Sequence, residues 1–98
     1  MDNIPELFLE VATQAEKHAA PQVIEKLLTQ LYHDCEMAAA AAKSKEIREV
    51  FAQIQKAVET WKSVWPRLGS QQEFRSAVVR EARAWSNRLK DSLLEGNS

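Results

Sequence analysis

Apolar residues recur every three or four positions along nearly the whole chain, and this spacing constrains the fold more than any other feature. An interval of three or four places side chains on one face of an α-helix. The clearest of these apolar stripes consists of Ile47, Val50, Phe51, Ile54, Val58, Trp61 and Trp65. Signals of strands, such as alternating β-branched residues or an Asn-Gly turn, are not found. The sequence therefore predicts an all-α fold.

Breakers and capping residues divide the chain into four predicted helices, at residues 4–19, 22–42, 45–65 and 71–94. Pro21 ends the first helix, because an internal proline removes a backbone hydrogen bond. The stripes of the second and third helices point about 130–140° apart, so one straight helix would not bury both, and we expect a break or kink at Ser44. Pro66 is expected to stop the third helix, and Ser70 with Glu73 matches a capping box for the fourth.

The 98 residues are expected to form one domain, residues 1–98, folded as an antiparallel bundle of about four helices, because the connections are short. The first helix is the shortest, which leaves part of an apolar stripe uncovered, and homodimerisation would cover it. Tryptophan on such a stripe usually packs in a core. The residues that we assign to the core or to the dimer interface are Phe51, Ile54, Val58, Trp61, Trp65 and Trp85.

Composition narrows the classes of function and location. A formal net charge of −1 predicts neither general affinity for nucleic acid nor attraction to an anionic membrane. The longest apolar run, residues 37–42, is too short to span a bilayer. The start of the chain is acidic, unlike a secretory signal, and the single cysteine, Cys35, has no internal disulfide partner. We therefore expect a cytoplasmic protein that does not enter membranes.

Residue patterns typical of catalysis, cofactors or metals are not found. His33 and Glu36 are in the reverse order of the Glu-x-x-His pairs that metal-binding bundles use, with no second pair to match them. Cys35 lies two residues from His33, so the two side chains point to different faces of a helix, and a buried cysteine is the better interpretation. Two glycines do not make a phosphate-binding loop. We expect a protein that is not an enzyme and that needs no cofactor or metal.

The outer side of the fourth helix is the strongest candidate site in the sequence. It lies opposite an apolar side formed by Phe74, Val78 and Trp85. Arginine combined with aliphatic residues is typical of protein–protein contact surfaces. The candidate partner-binding residues are Val79, Arg80, Arg83, Asn87, Lys90 and Leu94.

These observations favour a small non-enzymatic protein-binding module, an adaptor or an inhibitor-like regulator, that acts through helix faces. The alternative is a nucleic-acid-binding regulator that contacts phosphates with basic residues of the fourth helix. The residues of this alternative are Arg75, Arg80, Arg83, Arg88 and Lys90. The sequence does not identify the partner.

Overall fold

The computed structural model describes residues 4–96, and the side chains of residues 4–91. Its helices are α1 (Ile4–Glu16), α2 (Pro21–Ala41), α3 (Lys45–Leu68) and α4 (Gln72–Gly96). Residues 4–96 contain no strand, so the prediction of an all-α fold is confirmed. Three residues, 42–44, lie between α2 and α3, at the position where the different directions of the two apolar stripes predict a break.

The helices pack as two close pairs, α1 with α4 and α2 with α3, and α1 also contacts α2. The first pair is antiparallel. Arg75, near the start of α4, reaches Ala15 at the end of α1, whereas Ser86, farther along α4, reaches Pro5 at the start of α1. The predicted four-helix bundle is confirmed, and dimerisation stays a prediction.

Aromatic side chains join the two pairs at one end of the bundle. Phe8 of α1 meets Trp61 of α3 edge to face, with ring centroids 6.3 Å apart, and Trp65 of α3 lies 5.6 Å from Phe74 of α4. Close backbone packing between α3 and α4 is sparse. The indole of Trp61 instead donates a hydrogen bond to Glu81 of α4 at 3.2 Å.

α1 ends three residues earlier than predicted, and Pro21 is not the cause. The Ala19 N–H donates to the Gln14 carbonyl and the His18 N–H to the Ala15 carbonyl. His18 has φ of 56°, in the left-handed region. These features define a Schellman motif, which satisfies the last carbonyls of a helix and turns the chain out of it. Pro21 begins α2, as expected for a residue that lacks an N–H.

The boundary between α3 and α4 also differs from the prediction. α3 continues past Pro66 to Leu68. Proline lacks an N–H, so Pro66 removes one backbone hydrogen bond of the helix. Helical hydrogen bonding is present again at the end of α3, where the Gly69 N–H donates to the Trp65 carbonyl at 2.8 Å. The Arg75 N–H donates to the Gln71 carbonyl, so Gln71 rather than Ser70 precedes the first turn of α4.

The short first helix leaves one end of the α3 stripe without a cover from α1. α1 has 13 residues, against 24 in α3. Phe8 of α1 packs on Trp61 of α3. From this contact α3 extends fourteen residues back to Ile47, whereas α1 extends only four residues back to Ile4. Ile47 accordingly lies beyond the described start of α1 and is 43% exposed.

The αL conformation of His18 yields the first prediction. A side chain with a Cβ costs about 1 kcal/mol or more in this region, and glycine avoids that cost. We expect His18→Gly to stabilise the protein by about 0.5–1 kcal/mol, measured by urea unfolding. His18→Ala is the control and should change stability little, because alanine carries the same Cβ. Equal effects of the two variants would contradict the assignment.

Candidate functional site

The buried side of α4 is rotated by roughly 60° from the side that the sequence pattern predicts. The pattern centres it on Phe74, Val78 and Trp85, but Phe74 and Trp85 are only half-buried. Arg75 and Ser86, which are not in the predicted stripe, are buried instead. The prediction that Val79 is exposed on the outer face is wrong, because its side chain is 8% exposed and lies beside α1.

Small residues explain this rotation. Ala12 and Ala15 of α1, together with Ala82 and Ser86 of α4, are all at most 1% exposed. Short side chains let two helices approach closely, because the interaxial distance depends on the residues in contact. The Ser86 hydroxyl donates to the Pro5 carbonyl at 3.0 Å, so its burial leaves no hydroxyl unpaired.

Arg75 is the residue that sequence reasoning misplaced most. The pattern assigns it to solvent or to a phosphate, but it is 6% exposed. Its Nε donates to the Gly69 carbonyl and its Nη1 to the Ala15 carbonyl at 3.1 Å. Its guanidinium carbon lies 5.4 Å from the centre of the Trp65 ring. One side chain thus connects the α3–α4 turn, the end of α1 and the core.

Gly69 makes the turn beside Arg75 possible through close approach. A Cβ on Gly69 would lie 2.6 Å from the Trp65 carbonyl oxygen and 2.9 Å from the Trp65 Nε1. Real Cβ contacts are almost never this short, so a larger residue would have to displace the turn. The turn therefore depends on glycine for space, since φ of −63° is open to any residue.

Four of the predicted partner-binding residues do share an exposed face. Arg80, Arg83, Asn87 and Lys90 are all exposed along α4, and we call them the basic strip. Arg83 forms an ion pair with Glu16 of α1, in which the two side chains are 53% and 47% exposed. Exposed pairs of this kind contribute about 0–1 kcal/mol to stability. The side chain of Leu94 lies outside the described residues.

A groove between α1 and α4 adjoins the start of the basic strip. Its volume is about 500 Å³. It is lined by Ala15 and Glu16 of α1 and by Gln72, Arg75, Ser76, Val79, Arg80 and Arg83 of α4. Three guanidinium groups face one carboxylate here, an excess of two positive charges. The nearby exposed acids of α4, Glu73 and Glu81, are not part of the lining.

The residues assigned to the core or dimer interface divide into two groups. Five are buried within the single chain: Phe51, Ile54, Val58, Trp61 and Trp65. Trp85 is half-buried, and the guanidinium of Arg88 lies 5.0 Å from the centre of its ring. Burial in the bundle leaves these five residues at most 5% exposed, so they offer almost no apolar surface to a second copy.

Nothing in the geometry of Cys35 favours nucleophilic chemistry. The thiol is fully buried, and burial, with a smaller effect of the nearby Asp34 carboxylate, raises the pKa of Cys35 to about 12. A thiolate is the reactive form, so this thiol is held in its unreactive state. His33 is exposed, on a different side of α2. Among the residues with described side chains, no group of three or more His, Cys, Asp or Glu is placed to hold a metal ion.

Comparisons of the chain with protein-family models, with curated proteins and with solved structures each found no match. Within the described range, no helix is both long and apolar enough to cross a bilayer.

Proposed function

We propose that this chain is a small non-enzymatic interaction protein that binds an acidic segment of a partner protein along the basic strip of α4. The observation that carries the proposal is the distribution of charge: the strip and the adjoining groove collect Arg75, Arg80, Arg83 and Lys90, and Glu16 is the one acid that the groove contains. We place the protein in the cytoplasm, because its single cysteine, Cys35, is a free thiol, and thiols stay reduced in that compartment.

Rigidity supports the proposal as well as charge. The strip lies on a helix whose adjacent side is fixed to α1 by Ser86 and Arg75. A surface that is ordered before binding loses less conformational entropy when a partner docks. Arginine donates in a planar fork that matches carboxylates, and electrostatic complementarity of this kind sets specificity and association rate.

A protein partner is favoured over a nucleic acid by where the cations lie. The nucleic-acid alternative needs five basic residues on one phosphate-binding surface. Arg75 is largely buried and reaches only the groove, and Arg88 packs on Trp85, away from the strip. Arg80, Arg83 and Lys90 remain as exposed cations. Nucleic-acid affinity rises with the number of phosphates that a protein neutralises, and three cations are few for a chain of net charge −1.

The test is selection from a random-peptide display library, followed by affinity measurements on the selected peptides. We expect the selected peptides to be rich in Asp and Glu. Arg80→Glu combined with Arg83→Glu should weaken their binding by about tenfold or more, because like charges then face each other. Unfolding free energy should change by no more than about 1 kcal/mol, since both sites are exposed.

The matched control is Lys56→Glu combined with Lys62→Glu, two exposed lysines of α3 that give the same change in net charge. This pair should leave binding nearly unchanged. Equal losses in both pairs, or selected peptides without an acidic bias, would refute the proposal. Tight, steeply salt-dependent binding of duplex or single-stranded nucleic acid, lost with the arginine pair, would support the alternative instead.

Self-association is a further part of the proposal, and it rests on the uncovered end of the α3 stripe at Ile47. Sedimentation velocity at micromolar concentrations should show a dimer that Ile47→Asp dissociates, because a charge would then enter the apolar contact. Lys45→Asp, an exposed change two residues away, is the control. A monomer of 11.1 kDa throughout would exclude the dimer.

A further inference from the structure

Arg75 is a buried cation without a carboxylate partner. It is more than nine-tenths buried, yet the ion pair found in the described part of the chain joins Arg83 to Glu16 and does not involve it. Its Nε and Nη1 donate to main-chain carbonyls, whereas Nη2 has no partner among residues 4–91. Nη2 is not fully enclosed, and Arg75 forms part of the wall of the groove, so this unpaired donor is accessible to a ligand there.

Ser76 and Arg80 add two further hydrogen-bond donors beside Arg75. The Gln72 Nε2 donates to the Ser76 Oγ at 3.1 Å, so the hydroxyl hydrogen of Ser76 is free to donate elsewhere. Ser76 and Arg80 line the same groove as Arg75. The groove therefore combines a fixed guanidinium, a hydroxyl donor and a second, exposed guanidinium.

We infer that this groove is a subsite for one carboxylate group, held by Nη2 of Arg75 and by the Ser76 hydroxyl, with Arg80 at its edge. The inference rests on the proposed function, because the carboxylate would belong to the acidic segment bound along the basic strip. Guanidinium groups bind carboxylates through paired, charge-assisted hydrogen bonds. Concave surfaces lined by one sign of charge also concentrate ligands of the opposite sign.

Glu16 indicates why the ligand is a carboxylate. Its own carboxylate already occupies the rim of the groove, paired with Arg83. A ligand carboxylate adds a group of the same shape and a single charge, against an excess of two positive charges. Glu16 also repels that ligand, so it limits the affinity of the subsite, and its removal strengthens binding.

Tetraglutamate, with tetraglutamine as the uncharged control probe, tests the subsite by nuclear magnetic resonance. The signals followed are the Arg75 Nε–H and the backbone amides of residues 72–80. We expect tetraglutamate to shift them in a saturable way and tetraglutamine to shift none. Absence of saturable shifts at the Arg75 Nε–H, or equal shifts with both probes, would refute the inference.

Exposed variants avoid the risk that a change of Arg75 unfolds the chain. Arg80→Gln and Ser76→Ala should each weaken tetraglutamate binding by about three- to tenfold. Glu16→Gln should strengthen it by a similar factor, whereas Glu59→Gln, the same charge change on the exposed side of α3, should have little effect. Equal gains from the two glutamate variants would show long-range attraction rather than a subsite and would overturn the inference.

Inorganic phosphate is the second arm of the experiment. Saturable binding of phosphate that follows the same variant pattern, together with failure of tetraglutamate to bind, would overturn the assignment to a carboxylate. Failure of the subsite is distinguishable from failure of the proposed function. Suppose that the display-selected acidic peptides bind, that Arg80→Glu combined with Arg83→Glu abolishes their binding, and that the Arg75 Nε–H signal does not shift. Only the subsite is then wrong.

Discussion

The guanidinium group of Arg75 is the contact on which the position of α4 depends. It donates to the carbonyl of Gly69 in the turn before α4 and to that of Ala15 at the end of α1, and it packs over the ring of Trp65. Backbone packing between α3 and α4 is sparse, so the connection between these consecutive helices relies on side chains. A planar group with several fixed donors suits this role, because one residue donates to the Gly69 carbonyl and adds a second donor to the Ala15 carbonyl, which also accepts from the His18 N–H.

The position of α4 in turn determines which of its residues are exposed. Close packing against α1 rotates Val79 into contact with α1 and leaves the basic strip outside, next to the groove. The same contact gives Arg75 a structural role and makes it part of the wall of the groove. The proposed binding of an acidic segment, and the carboxylate subsite at one end of it, both follow from this single arrangement of charge.

The sequence predicted the class of fold and most of the core, because Phe51, Ile54, Val58, Trp61 and Trp65 follow helical periodicity without interruption. It failed on α4 for Arg75 and Ser86, which both contact α1. Hydrophobic periodicity does not place such polar residues in a core, and no local signal shows that main-chain carbonyls will accept their hydrogen bonds. It also failed at the end of α1, where the Schellman motif places histidine in a conformation usual for glycine. Of the candidate site, Arg80, Arg83, Asn87 and Lys90 were predicted as exposed from their spacing, whereas the groove depends on tertiary packing.

The role of Arg75 in holding α4 on α1 is tested by the free energy of unfolding of Arg75→Met, compared with that of Arg80→Met on the exposed side of the same helix. Methionine keeps much of the apolar stem but removes the side-chain donor to the Gly69 carbonyl and one of the two donors to the Ala15 carbonyl. We expect a loss of about 1–3 kcal/mol for Arg75→Met and no more than about 0.5 kcal/mol for Arg80→Met. Equal, small losses in both variants would contradict the claim that Arg75 fixes α4 on α1.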